Sequence, residues 1–227
     1  MHAIYHTLDL TLTMFAQLKG IVDLIRSGVS DFRSFQTVRA REEAVLDVLR
    51  VYFLLKDCVD DGEKIIAEAQ PNPVEKIAQM EPELALTTIE KWDATIRKQG
   101  IRLYQLQGVL LGQDHIAIIN PALQERISEA IGYKMDRAVT LHGIGAALFF
   151  KNMFPVANTA EEKAHYIFVM AGEEEGSLNM PRICAEIESL RQSLDQYRGV
   201  VERLVSNAEL LQLSQRARQE TRLSDEA

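Results

Sequence analysis

Cysteine occurs only twice in the 227 residues, at Cys58 and Cys184, far apart and both in helical contexts. That scarcity excludes the dense disulfide framework with which small secreted domains compensate for a thin core, and it leaves two reduced thiols, core or half-buried. No CxxC, HExxH, P-loop or GxSxG occurs, so zinc, phosphoryl-transfer and serine-hydrolase chemistry have no starting point. Positive charge is also short, with 25 Lys and Arg against 33 Asp and Glu and a net charge of −8. A chain this acidic lacks the basic footprint needed to displace counterions from nucleic acid or to meet anionic headgroups. General nucleic-acid binding and membrane association are therefore not expected. The longest uncharged stretch, near 138–150, has about 13 residues, roughly 20 Å as a helix against a hydrocarbon core of ~30 Å. The first residues, MHAIYHTLDLTLTMF, lack a basic region and carry Asp9 inside the apolar segment, unlike a signal peptide. A cytoplasmic location is the expectation. Sustained β alternation and internal repeats are missing as well.

What the chain does have is helical periodicity. Its 47% hydrophobic and 26% charged content suits a globular chain that buries a core. From Met180 to Gln215 an unbroken 4-3 apolar repeat runs through Ile183, Ile187, Leu190, Leu194, Tyr197, Val201, Leu204, Ala208 and Leu211. Only a helix collects these positions on one face. One continuous helix of this length would extend roughly 50 Å and needs equally long neighbours to cover its seam. Arg191 and Arg198 flank the seam in the first half, and Val200 and Val205 in the second, so 199–211 is expected to be the more deeply surrounded part. After Leu213 the run QRARQETRLSDEA has no stripe and is expected to fray.

Taken in order, a first helix is expected from Ala3 to Ser27, stopped by Ser27-Gly28. A second starts near Ser30 or Asp31 and continues past Val59, with a break among the charges at Arg39–Glu43. Pro71-Asn72-Pro73 reads as a turn and Val74–Met80 as a short helix. Glu81-Pro82 opens a third long helix with Ile89, Trp92, Ile96, Leu103, Leu106 and Leu110 in step, polar Gln99 at one seam position, and Gly112 after its end. Asn120-Pro121 caps a further helix, and Thr159 with Glu162 forms a capping box for another that Gly172 closes. The expected class is all-α: a multi-helix bundle with long heptad-patterned helices, one domain over 1–213, with a subdivision near 112–120 as the alternative and a polar tail over 214–227.

Four constellations bear on chemistry. In DCVDDGEKIIAE, Asp57, Asp61, Gly62 and Glu68 occupy the first, fifth, sixth and twelfth places of a calcium loop of the EF-hand kind. Val59, at the third place, cannot ligate, so no metal is expected and the stretch reads as an acidic helix end or an exposed turn at Gly62. Lys91, Lys98 and Arg102 recur along one helix side and read as a solvated face. Gly143-Ile-Gly145-Ala-Ala147 lets another backbone approach, and Leu148, Phe149, Phe150, Met153 and Phe154 follow it. These large apolar residues cannot all face one side of one helix, so some face the bundle and the others need a second cover, either another segment of the chain or another protein; in the second case Phe149, Phe150, Met153 and Phe154 are the candidate interface. Finally, Arg137-Ala-Val-Thr-Leu-His142 has an Arg-x4-His spacing that resembles the motif of HEPN-type ribonucleases, which are small helical bundles. The resemblance covers six residues and departs from the family in Ala138, where a polar residue usually follows the Arg. It implies a metal-independent ribonuclease in which Arg137 and His142 meet at a dimer cleft, the His moving protons and the Arg stabilising charge on the phosphate.

The leading expectation is a non-enzymatic helical interaction or scaffold protein that self-associates or binds another protein and uses no cofactor. The HEPN-like ribonuclease is the alternative.

Overall fold

The computed structural model describes residues 14–29, 38–70, 73–111, 133–135, 138, 139, 142, 180–202 and 205–223. Within these the chain is all-α, with six helices: α1 (Met14–Val29), α2 (Val38–Ala69), α3 (Pro73–Ala78), α4 (Pro82–Leu111), α5 (Met180–Val201) and α6 (Asn207–Thr221). No described helix is long and apolar enough to cross a membrane.

α2 is the hub. It packs against α4, α5 and α6, while α1 lies against α5 and α3 against α4. The reason is legible in its composition: Ala44–Leu49, Val51, Leu54, Leu55 and Asp57–Val59 are all buried, so apolar residues cover most of its circumference. A helix that is apolar nearly all round belongs at the centre of a bundle. Around it the core gathers Leu18, Ile21 and Val22 from α1, Leu103 and Leu106 from α4, and Ile187, Leu190, Leu194 and Tyr197 from α5. A smaller cluster of Ile65, Ala69, Trp92 and Ile96, with Ile77 against it, joins the far end of α2 to α3 and α4.

Two polar side chains inside this core are matched to the α2 backbone. Gln99, the polar seam residue of α4, is buried and donates from Nε2 to the Cys58 carbonyl at 2.9 Å. Tyr197 is buried on α5 and donates its hydroxyl to the Val48 carbonyl at 3.0 Å. Both bonds tie a neighbouring helix to the α2 backbone and remove the cost of an unmatched buried group.

Four expectations are corrected. α2 runs without a break through Arg39–Glu43, and Arg41 of that run is held by Glu209 of α6 at 3.0 Å. The 180–215 repeat does not form one helix: α5 ends at Val201 and α6 begins after Ser206, whose backbone is extended at φ −65° and ψ 158°. Ser206 and Glu209 make a reciprocal capping box, with Ser206 N donating to Glu209 Oε2 at 2.9 Å and Glu209 N to Ser206 Oγ at 3.4 Å. Val205 and Leu210, at the positions of a hydrophobic staple, are half-buried against the core. The expectation that 199–211 is deeply surrounded therefore does not hold, since Ala208 is exposed and Leu211 is 62% exposed. Nor does the chain fray after Leu213: α6 continues to Thr221, with Ala217 and Thr221 buried.

Candidate functional site

The acidic stretch of α2 is the densest collection of ionisable groups among the described residues, and it sits on a helix. Eleven residue steps separate Asp57 from Glu68, about 16 Å along a helix axis, so the two carboxylates cannot wrap one ion as a calcium loop requires. Gly62 is neither an exposed turn nor a helix end. It is buried in mid-helix, and a Cβ there would meet Phe15 Cζ of α1 at 2.7 Å and Ile187 Cδ1 of α5 at 3.1 Å. The glycine is required by close packing and not by a loop.

Each carboxylate of the stretch instead meets a cation from another helix. Arg218 of α6 donates from Nη1 to both Asp57 oxygens, at 2.7 and 2.8 Å. Arg102 of α4 pairs with Asp61 and lies 3.6 Å from Asp57. Arg191 of α5 reaches Glu63 from Nε at 2.6 Å and Asp60 at 3.4 Å, and Lys56 also pairs with Asp60. Lys91 and the Trp92 indole, both on α4, donate to Glu68 at 2.6 and 3.0 Å. Burial alone would raise the Glu68 carboxyl, but these two hydrogen bonds, together with the charges of Lys91 and Lys64, hold the group below its usual range. The basic side of α4 is thus divided: Lys91 pairs with Glu68 but its side chain stays 49% exposed, while Arg102, 11% exposed, is turned into the bundle. Cys58, enclosed at the centre of this array, has its thiol pushed up to about 12 by burial, which makes it inert as a nucleophile near neutral pH. Cys184 is half-buried and also a free thiol.

His142 lies half-buried on the α4 backbone. Its ring is hydrogen-bonded to the Ile96 backbone, and the imidazole Cε1 stands 3.2 Å from where a Cβ on Gly100 would be. Nε2 is buried and has no hydrogen-bond partner among the described residues. Burial lowers the imidazole pKa, and the Ile96 hydrogen bond offsets only part of that. Arg137, its partner in the ribonuclease alternative, lies outside the described residues, as do Phe149, Phe150, Met153 and Phe154 of the expected interface.

A second feature went unread in the sequence. Where α5 ends and α6 turns back, an open groove of about 460 Å³ runs between them and α2. Leu49, Tyr52 and Phe53 of α2 and Leu210 and Leu211 of α6 form its apolar surface, with Lys56, Arg198 and Glu202 among its lining. Tyr52 stacks parallel to the buried Tyr197 at 6.4 Å between ring centroids and meets Phe53 edge-on at 5.4 Å. The aromatic wall is thus held in place from behind. The groove exists because the 4-3 repeat breaks at Ser206, and the only sequence signal for it is the capping box Ser206-x-x-Glu209.

Comparison with protein-family models, with curated proteins and with solved structures finds no match.

Proposed function

We propose that this protein is a non-enzymatic helical interaction or scaffold protein that self-associates. The observation that carries the reading is the exposure of Leu211 beside an open apolar groove, on a bundle whose carboxylates over 57–68 are taken up in helix-to-helix pairs. Apolar surface of this kind is what a protein partner covers, and a rigid all-α frame presents it without needing a reactive centre. The expected 149–154 segment adds large apolar residues to the same reading.

The ribonuclease alternative has less support. A general acid must hold a proton near neutral pH, and burial against the α4 backbone disfavours the protonated form of His142. Two measurements test the choice. Sedimentation of the full chain over micromolar concentrations is expected to give a mass above that of one chain, and a monomer throughout would remove self-association. RNA cleavage by the purified chain that disappears in a folded Arg137→Ala, His142→Ala double variant would replace the scaffold reading with the ribonuclease.

A further inference from the structure

We propose that α5 and α6 work as a jackknife: closed, α6 lies folded back along α2 under a latch of ion pairs, and when the latch weakens α6 swings out to continue α5 as one helix, uncovering the α2 face beneath it.

The course of the chain sets up this motion. α5 runs antiparallel to α2, with Arg191 meeting Glu63 and Tyr197 reaching the Val48 carbonyl. α6 then returns parallel to α2, with Glu209 beside Arg41 and Arg218 beside Asp57. α2 is the one described helix against which α6 packs extensively. α6 also carries two stripes. Leu210, Leu213, Ala217 and Thr221 turn toward the core in the closed form. Ala208 and Leu211 form the other stripe, which keeps step with Ile187, Leu190, Leu194 and Tyr197 of α5 yet is exposed, Leu211 to 62%. A face in register with the α5 core positions is what a continuous helix uses and a folded-back one does not.

The grip of α6 on α2 is thin in apolar surface and rich in charge. α5 buries Ile187, Leu190, Leu194 and Tyr197, whereas the buried side chains of α6 are the small Ala217 and Thr221. Three ion pairs do the rest: Arg41 with Glu209 at 3.0 Å, Arg50 with Glu220 at 2.6 Å, and Arg218 with Asp57 at 2.7 and 2.8 Å. Each has at least one side chain that is 35% exposed or more, so dissolved salt reaches every pair. Release takes the Arg218 guanidinium off the Phe53 ring and Leu210 away from the hollow that Leu49 and Phe53 line.

The test is the distance between spin labels on Lys64→Cys and Gln219→Cys, both exposed positions, in the full chain carrying Cys184→Ser, where the remaining native thiol, Cys58, is buried. In the closed form residue 219 follows the Arg218 pair with Asp57, and the stretch of α2 from there to residue 64 puts the labels roughly 10–20 Å apart. In the open form, continuous helix from Arg191, which meets Glu63, to residue 219 puts them about 42 Å apart. The short distance is expected at low salt. At about 1 M salt, where screening acts within ~3 Å, a second population near the long distance is expected, and a larger one in an Arg41→Glu, Arg218→Glu variant, with helicity by circular dichroism unchanged. Asn207→Pro isolates the joint. Position 207 is the first of α6 and follows Ser206, whose extended backbone suits a residue before proline, so the closed form accepts the change and a continuous helix does not. It is expected to abolish the long population under the same conditions. The short distance alone, both at high salt and in the charge-reversal variant, overturns the latch. A broad spread of distances with falling helicity shows α6 unfolding instead of joining α5, and a long population that survives Asn207→Pro excludes the continuous helix; either overturns the jackknife.

Discussion

Arg218 donates to both oxygens of Asp57, at 2.7 and 2.8 Å, while its guanidinium carbon stands 5.4 Å from the centre of the Phe53 ring. One side chain near the end of the described chain thereby locks α6 to the central helix through charge and through an aromatic face. The two partners are unequally buried: the Asp57 side chain is 11% exposed and that of Arg218 45%. Removing the exposed partner is therefore the smaller perturbation, since Asp57 keeps Arg102 nearby and water can reach it. Arg218→Ala is expected to lower stability by about 1–2 kcal/mol, and Asp57→Ala by about 2–4 kcal/mol because Arg102, 11% exposed, loses a counter-charge 3.6 Å away. Chemical denaturation of both variants checks the order. Equal losses would mean that the pair is solvated.

Gly62 and Gly108 make a controlled comparison. Both are helical, but a Cβ on Gly62 would stand 2.7 Å from the Phe15 ring, whereas one on Gly108 meets nothing within 4 Å. Alanine at Gly108 should stabilise by about 0.5–1 kcal/mol through backbone entropy alone. Alanine at Gly62 gains the same entropy and loses more by displacing Phe15 and Ile187, for a net cost of about 1–3 kcal/mol. Thermal melts of the two variants should move in opposite directions. A stabilised Gly62→Ala would show that α1 and α5 do not pack on α2 at this point.

How much of this was legible beforehand depends on what decides each feature. The all-α class, α4 with Gln99 on its seam, and the core role of Leu190, Leu194 and Tyr197 follow from periodicity, which burial on one face directly imprints. The destination of the acidic stretch was not legible, because Arg102, Arg191 and Arg218 reach it from 41, 128 and 161 residues away and only the tertiary arrangement brings them together. At Ser206 a local signal and a periodic one conflicted. The 4-3 repeat continues through the site, but the capping box and the staple favour a new helix, and the α2 surface offers Arg41 at 3.0 Å from Glu209 to hold the turned-back helix. Local capping and tertiary contact outweighed the repeat, and Leu211 was left outside as a consequence.

Stability should fall in two steps as pH is lowered. His142 has its folded pKa lowered mainly by burial, so folding disfavours its protonation. Its contribution is fully present above an unfolded pKa of about 6.5 and is lost as pH falls through the lower folded value. Glu68 and Glu220 form the second step. Burial would raise both carboxyls, but hydrogen bonds from Lys91 and Trp92 in one case, and from Arg50 and Arg216 in the other, lower them. Their contributions are present above about pH 4.3 and disappear as pH falls further. Denaturant midpoints measured from pH 7.5 to 5 are expected to fall more for the unmodified protein than for His142→Gln. Parallel curves would place the imidazole in solvent.

The boundary of the fold at its C-terminal side gives the last prediction. If 214–227 were a polar tail, its removal would be neutral. In the structure that deletion takes away buried Ala217 and Thr221, the Arg218 clamp on Asp57, and Glu220, which Arg50 grips from Nε at 2.6 Å. It also leaves α6 with seven residues, Asn207–Leu213, too few to sustain a helix without tertiary support. The shortened chain is expected to lose about 3 kcal/mol or more of stability and to melt at a lower temperature, combining the lost ion pairs with the apolar surface of α2 that α6 no longer covers. Ser206→Ala separates the cap from the packing, because it removes only the capping box and should cost about 1 kcal/mol. An unchanged melting curve for the truncation would mean that α6 does not hold to α2, and the groove that its docking creates would go with it.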